Sequence, residues 1–220
     1  RYPSYMHHST NSGRSALYLI LQAFGIGKGD EVIVQSLTCV AVPNAVLWVG
    51  ATPIYADIDT RYNIDPESIF HHITEKTKAI IVQNTFGIPA QFEKIRRIAK
   101  EHKIFLIEDC AHSLGGKYDT GEMIGSVADA SFFSFGRDKI VSSVFGGVGS
   151  INKKYKKAVE KFISIHDALE YPNAMWIAQQ IFHPIAFSVI LPFYGLGIGK
   201  LLLFLFQKFS FLSYPVYSEE

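Results

Sequence analysis

Three short segments carry side chains whose types and spacing could do chemistry. The first, IEDCAHSLGG (107–116), ends an apolar run on Glu108 and Asp109, and His112 follows three residues after Asp109. A carboxylate at the end of a buried strand needs a cationic partner, or it takes up a proton. A pyridinium nitrogen is one such partner, and a structural cap, a buried ion pair and a metal site are the alternatives. The metal site is disfavoured because neighbouring strand residues face opposite sides of a sheet.

The second segment, SGRSAL (12–17), places small and polar residues at the start of a predicted helix. Free backbone N–H groups and the helix dipole favour a phosphate at such a position. Arg14 lies at the same helix start, Gly13 allows close approach of the backbone, and Ser12 and Ser15 add hydroxyl donors. An ordinary serine N-cap is the alternative.

The third segment, SFFSFGRDK (131–139), leaves a predicted strand and enters a loop that carries Ser134, Arg137 and Lys139. A serine followed by a lysine five residues later can supply a phosphate donor and a nucleophilic amine to one pocket. A solvated surface lysine is the alternative.

The elements that must position these segments alternate between helix and strand. Helical spacing or caps appear in SGRSALYLILQAFGI, TCVAVPNAVLWVG, NIDPESIFHHI and FEKIRRIAKEHK, and strand-like runs in EVIVQ, ATPIYADI, KAIIVQN, KIFLIED and DASFFSF. Continuous apolar strands joined by helices predict an α/β fold with a mainly parallel sheet flanked by helices. Ligands of such sheets gather at the carboxyl ends of the strands, where Asp109 is expected.

The amino-acid composition of the chain changes near residue 150. We predict one α/β domain over residues 1–150 and a helical, apolar segment over 151–220 that leads to an incomplete C-terminal domain. No Asp, Glu, Lys or Arg occurs from Tyr171 to Gly199. The stretch 181–213 is expected to form buried interface helices, a peripheral membrane contact or a spanning helix. The chain begins without methionine, so a fragment of a longer protein is expected.

Composition excludes some classes of protein. The 220 residues carry a formal net charge of +1, which gives no electrostatic reason to expect a nucleic-acid partner. The two cysteines, Cys39 and Cys110, have no metal-ligand spacing and make no disulfide framework. We therefore predict no metal site and a cytoplasmic location.

Seven blocks in one order resemble the DegT-like sugar aminotransferases, pyridoxal-phosphate enzymes of fold type I. These blocks are SGRSALYLILQAFGIGKGDEVIV, TCVAVPNAVLWVGATPIYADID, NIDPESI, KTKAIIVQNTFGIPA, FLIEDCAHSLGG, SFFSFGRDK and FGGVG. The resemblance covers roughly residues 10–150 of the sequence.

The resemblance implies a role for each matching residue. Lys139 matches the lysine that holds the cofactor covalently and moves the substrate proton. Asp109 matches the carboxylate that pairs with the pyridine nitrogen, and His112 matches a position beside the cofactor ring. Cys39 stands where relatives often carry an aromatic side chain that stacks on the cofactor. The matches to phosphate-binding positions are Gly13, Arg14, Ser15 and Ser134.

The resemblance also implies the reaction. The expected function is transfer of an amino group from an amino acid, usually glutamate, to a keto-sugar that is usually nucleotide-linked. A homodimer with small-molecule substrates and pyridoxal 5'-phosphate as cofactor is expected. A non-catalytic cofactor-binding regulator, or a membrane-associated relative that keeps the fold without the chemistry, is the alternative.

Overall fold

The computed structural model describes residues 2–212. Residues 213–220, which include the end of the predicted apolar stretch 181–213 and of the predicted segment 151–220, lie outside the described residues. Contacts divide the described residues into two compact units, one of residues 2–142 with 146–168 and one of residues 143–145 with 169–212. The domain boundary predicted at residue 150 stays a prediction.

The first unit consists of a sheet and its flanking helices. Over the described residues its strands are β1 (Tyr5–Thr10), β2 (Glu31–Gln35), β3 (Thr52–Ala56), β4 (Thr77–Gln83), β5 (Phe105–Asp109), β6 (Ala130–Ser134) and β7 (Gly147–Asn152). Its helices are α1 (Gly13–Ala23), α2 (Ala41–Trp48), α3 (Pro66–His72), α4 (Phe92–His102) and α5 (Lys156–Asp167), with a 3-10 turn at Thr85–Gly87.

The sheet is mainly parallel, as predicted. Its strand order is β1-β7-β6-β5-β4-β2-β3, and all neighbours from β6 to β3 are parallel. At the other edge β7 runs antiparallel to both β6 and β1, a pairing that the periodicity of the sequence does not predict. The carboxyl ends of β2, β4, β5 and β6 therefore lie along one edge of the sheet.

Both faces of the sheet are buried, which explains the continuous apolar strands. Along β2, Val32 and Val34 join the core cluster that contains residues of α1, α2 and α5. Ile33, between them, joins the cluster that contains residues of α3 and α4. Successive side chains of a strand point to opposite faces, so each strand contributes to two cores.

The second unit contains a helical pair that we call the apolar hairpin (residues 174–212). It is formed by α6 (Ala174–Ile190), a 3-10 turn at Leu191–Phe193 and α7 (Ile198–Lys208). The helices run antiparallel, because Gly199 at the start of α7 packs against the backbone of Ile190 and the Phe182 and Phe206 rings lie 5.8 Å apart. The apolar C-terminal helical segment is thus confirmed.

One helix among the described residues, Ala174–Phe193, is long and apolar enough to cross a membrane by length and composition. Its mean hydropathy is 1.4, and only 17% of that stretch is buried within the chain.

Candidate active site

The carboxyl of Asp109 ends β5 in a buried position, with only 4% of the residue exposed. Its Oδ1 accepts a hydrogen bond from the backbone N–H of Ala111 at 2.9 Å. Burial raises the pKa of Asp109 to about 6, and the Ala111 N–H and the positive charge of Lys139 act in the opposite direction. At pH 7 the carboxylate is therefore charged in a buried place, which favours a cationic partner.

Lys139 and His112 meet beside this carboxyl. Lys139 Nζ lies 3.2 Å from His112 Nε2 and 2.8 Å from Asp138 Oδ2, and its side chain is only 13% exposed. Burial, and then the charge of Lys139, lower the pKa of His112, so the imidazole is neutral at pH 7. An ammonium can only donate, so Nε2 accepts and the ring proton is assigned to Nδ1. That Nδ1 atom is buried and has no hydrogen-bond partner in the described structure.

The ring of Phe86 stacks on His112, with centroids 5.9 Å apart and planes at 8°. The register of the sheet explains the contact, because Gln83 at the end of β4 pairs with Asp109 at the end of β5. Phe86 and His112 each follow their strand end by three residues. Sequence reasoning missed Phe86 and the ion pair of Asp138, and the signals available were an aromatic after a buried strand (QNTFG) and an acid beside the lysine.

The start of α1 forms a second part of the site. Ser12 caps the helix, since its Oγ accepts from Ser15 N at 3.1 Å and lies 2.9 Å from Ser15 Oγ. A Cβ added to Gly13 would lie 2.9 Å from Ser134 Cβ, so the helix can approach the end of β6 this closely only with glycine. The first N–H groups of a helix have no intrahelical partner, and they favour an anion beside Ser134.

The turn after β6 joins the two parts. A Cβ added to Gly136 would lie 3.7 Å from Ser134 Oγ and 3.9 Å from Lys139 Cγ. The hydroxyl beside the helix start and the amine beside Asp109 therefore flank one tight turn. The structure thus brings together the sequence-predicted residues Gly13, Ser15, Asp109, His112, Ser134 and Lys139.

The other two predicted residues have different surroundings. The Arg14 guanidinium lies 4.9 Å from the centre of the Trp48 ring, a cation–π arrangement. Cys39 is an exposed free thiol in the loop between β2 and α2. The neighbouring Thr38 donates to Gln83 Oε1 at 2.7 Å, which ties this loop to the end of β4.

Glu108 points away from this group, as the alternation of strand residues predicts. Its carboxylate accepts bonds from the Tyr118 hydroxyl at 2.8 Å and from three backbone N–H groups of residues 125–128 at 2.8–3.2 Å. Burial raises the pKa of Glu108, and these donors oppose the rise. The side chain anchors a loop, so a metal triad of Glu108, Asp109 and His112 does not form.

A different set of side chains has metal-like spacing. In the described residues, ligand atoms of His8, His166 and Asp167 lie within 4.8 Å of one another. Both ring nitrogens of His166 are already hydrogen-bonded, Nδ1 to Asp167 Oδ1 at 3.0 Å and Nε2 to the Ser9 carbonyl at 2.9 Å. These two hydrogen bonds fix the orientation of the His166 ring, and we therefore interpret the cluster as a hydrogen-bonded histidine and not as a metal centre.

The arrangement suits a ligand that carries three functional groups: an anion, a ring nitrogen that can be protonated, and a carbonyl carbon. An anionic group can bind at the start of α1 and at Ser134. A protonated ring nitrogen can pair with Asp109, and a carbonyl carbon can react with the amine of Lys139.

Comparisons with known proteins supply independent findings. The model of the DegT/DnrJ/EryC1/StrS aminotransferase family matches residues 6–173. GDP-perosamine synthase of Escherichia coli O157:H7 is 42% identical over 147 residues, covering 66% of this chain and 40% of the relative. UDP-N-acetyl-3-dehydro-alpha-D-glucosamine 3-aminotransferase of Acidithiobacillus ferrooxidans is 45% identical over 125 residues, covering 56% of this chain and 34% of the relative.

Solved structures share the fold. The crystal structure of NtdA from Bacillus subtilis with bound cofactor PMP matches with a TM-score of 0.63 and 32% identity, over 70% of this chain and 35% of that chain. The chain spans 40% of the length of the Escherichia coli relative and 34% of the Acidithiobacillus one.

Proposed function

The chain belongs to the DegT/DnrJ/EryC1/StrS aminotransferase family, and on this premise we propose that the protein is a pyridoxal-phosphate-dependent sugar aminotransferase. It moves an amino group from an amino acid, glutamate in the first instance, to a keto-sugar. The observation that carries the proposal is the meeting of a buried carboxyl, Asp109, with a shielded amine, Lys139, at the carboxyl ends of parallel strands.

Three features of the site fit pyridoxal phosphate. The buried Nδ1 of His112 lacks a partner and can donate to a ring oxygen. Asp109 is a buried acid that needs a cation, which a protonated pyridine nitrogen supplies. The start of α1, pressed against Ser134, offers N–H and hydroxyl donors to a phosphate.

The residues of this chain then have separate tasks. When bound, the cofactor supplies an electron sink for the substrate carbon that loses its proton. Asp109 keeps a proton on the pyridine nitrogen, and Lys139 holds the cofactor and carries the proton to and from the substrate carbon. His112 stays neutral and acts as a donor from Nδ1, in an orientation fixed by the stacked ring of Phe86.

The names of two relatives support the substrate class. One relative is named for GDP-perosamine, and the other for transfer to a UDP-linked 3-dehydro sugar. We therefore propose a nucleotide-linked keto-sugar as acceptor. A homodimer, a cytoplasmic location and a peripheral membrane contact through 181–213 belong to the same proposal.

The test uses the purified full-length protein loaded with pyridoxal phosphate. Glutamate should convert the cofactor to its pyridoxamine form, read as a shift in the absorption spectrum. Borohydride reduction and peptide mass analysis should place the cofactor on Lys139. The Lys139→Ala variant should lose both signals, whereas Lys117→Ala, a change at an exposed lysine nearby in sequence, should keep them. A label on another lysine, or no spectral change with any amino donor, would favour the non-catalytic relative.

A further inference from the structure

The outer side of the apolar hairpin is an exposed apolar surface. On α6, Ile177, Ile181, Ile185 and Val189 recur every four residues, and Ile181 and Ile185 are 65% and 57% exposed. On α7 the exposed apolar residues are Ile198, Leu201 and Phe204. Residues four apart lie on one face of a helix, so α6 presents a continuous aliphatic stripe.

The inner side of the hairpin is apolar as well. Ala186 and Ile190 of α6 form a small core, against which Phe182, Leu202 and Phe206 pack. The helix α6 is thus apolar on the face that meets α7 and on the opposite face, which contacts none of the described residues of its unit. A helix with apolar residues all round belongs in a core or in a membrane.

Three polar side chains of α6 donate hydrogen bonds to backbone carbonyls within the hairpin. Gln179 donates to the Ser210 carbonyl at 2.5 Å, and Gln180 donates to the Trp176 carbonyl at 3.1 Å. Ser188 donates to the Ile185 carbonyl at 2.7 Å. Water would satisfy these groups without such bonds, whereas hydrocarbon requires internal partners. Because each of these three side chains already donates to a backbone carbonyl, it can enter hydrocarbon with a bonded donor.

The charges of the hairpin have one sign. Among residues 174–212 the ionised side chains are Lys200 and Lys208, and no Asp or Glu is present. Lys200 Nζ lies 5.6 Å from the centre of the Tyr194 ring, and Lys208 Nζ lies 5.9 Å from that of Phe204. Lysine stems can cover apolar surface while the ammonium groups reach outward to anionic phosphates. This charge pattern is complementary to phospholipid headgroups.

From these observations we propose that the apolar hairpin embeds in a phospholipid bilayer from one side. The eleven residues of α7 span about 16 Å, which is too short for a hydrocarbon core of about 30 Å. Because Lys200 lies beside the turn and Lys208 near the other end of α7, both ammonium groups reach the headgroups only if the hairpin lies along the surface of one leaflet. The inference rests on the hairpin alone and does not depend on the proposed reaction.

The first experiment is flotation of the full-length protein with phosphatidylcholine vesicles, with and without phosphatidylglycerol. The protein should float with both, and more tightly with the anionic vesicles. The double variant Ile181→Glu with Ile185→Glu replaces two outward aliphatic side chains and should weaken partitioning about a hundredfold.

A matched control keeps the test specific. Tyr55→Glu with Phe70→Glu adds the same charge at two exposed side chains of the first unit and should leave flotation unchanged. Equal circular dichroism spectra of both double variants and the parent would show that folding is unaffected. Equal flotation of parent and Ile181/Ile185 variant, or a folded parent that does not float, would overturn the proposal.

A second measurement remains decisive if the glutamate variant fails to fold. A fluorophore is attached at Ile185→Cys, and in a separate protein at Phe70→Cys, in a background without other exposed cysteines. Nitroxides on the lipid acyl chains should quench the label at 185 and spare the label at 70. An unquenched label at 185, or an oligomer that shields it in the absence of lipid, would show that protein covers this face and would refute the bilayer as occupant.

Discussion

Replacing Asp109 with asparagine should stabilise the cofactor-free protein above pH 6 and weaken its binding of pyridoxal phosphate. The two side chains have nearly the same shape, and asparagine keeps an oxygen that can accept from the backbone N–H of Ala111. The substitution removes only the buried charge. Comparing the variant with the parent therefore gives two separate quantities: the free-energy cost of burying the Asp109 charge, and the contribution of that charge to cofactor binding.

The magnitude follows from the pKa of the acid. Burial raises the pKa of Asp109 from 3.8 to about 6, so between these values the folded protein binds more protons at this site than the unfolded chain. Its contribution to the free energy of unfolding is thus lost as pH rises through this interval. At about 1.4 kcal/mol per pH unit the loss reaches about 3 kcal/mol above pH 6. The asparagine variant does not suffer this loss.

Urea unfolding of cofactor-free, full-length protein at about pH 4 and about pH 8 measures the difference. Parent and Asp109→Asn should unfold at similar urea concentrations at the lower pH, and the variant should be more stable at the higher pH. Titration with pyridoxal phosphate should show weaker binding to the variant. A stability difference that does not change with pH, or a less stable variant at about pH 8, would refute the reasoning.

Three further predictions concern the parts that hold the site. Glu108→Gln should lower the free energy of unfolding by about 1–3 kcal/mol in urea, because an amide group would face buried N–H donors; unchanged stability would contradict this. Gly147→Ala should lower the free energy of unfolding by about 1–3 kcal/mol and weaken cofactor binding, because the added methyl would overlap the Ser12 backbone. An equal loss of stability in Gly195→Ala, where the added methyl meets open space, would contradict this explanation. Ser12→Ala should cost about 1 kcal/mol and raise the Kd for pyridoxal phosphate, measured by fluorescence titration; an unaltered Kd would remove Ser12 from the site.

Local patterns in the sequence predict most of the parallel sheet and the place of the site. The apolar run before Asp109 predicts β5, and the serine before Gly13 predicts the start of α1. The Asp65-Pro66 pair predicts α3, whose N-cap is Asp65. These features depend on neighbours along the chain, so periodicity and cap chemistry are sufficient to find them.

Features that depend on distant pairing escape such reasoning. The strands β1 (YMHHST) and β7 (GVGSIN) have no clear alternation, and they pair Tyr5 with Asn152 across most of the first unit. The stack of Phe86 on His112 requires the register of β4 against β5, which no local pattern reveals. The bond from Gln179 to the Ser210 carbonyl likewise becomes visible only when α6 has a neighbour.

The antiparallel edge of the sheet determines when the first unit can complete its fold during translation. Among the described strands β1 is translated before the others, yet β7, with which it pairs in the described sheet, is complete only when Asn152 has been translated. The start of α1 packs against Ser134 and Gly147, which are also translated late. The anion site at the start of α1 is therefore incomplete until β7 has been translated and has joined the sheet. We expect the cofactor to bind late in the folding of this unit and not during its nucleation.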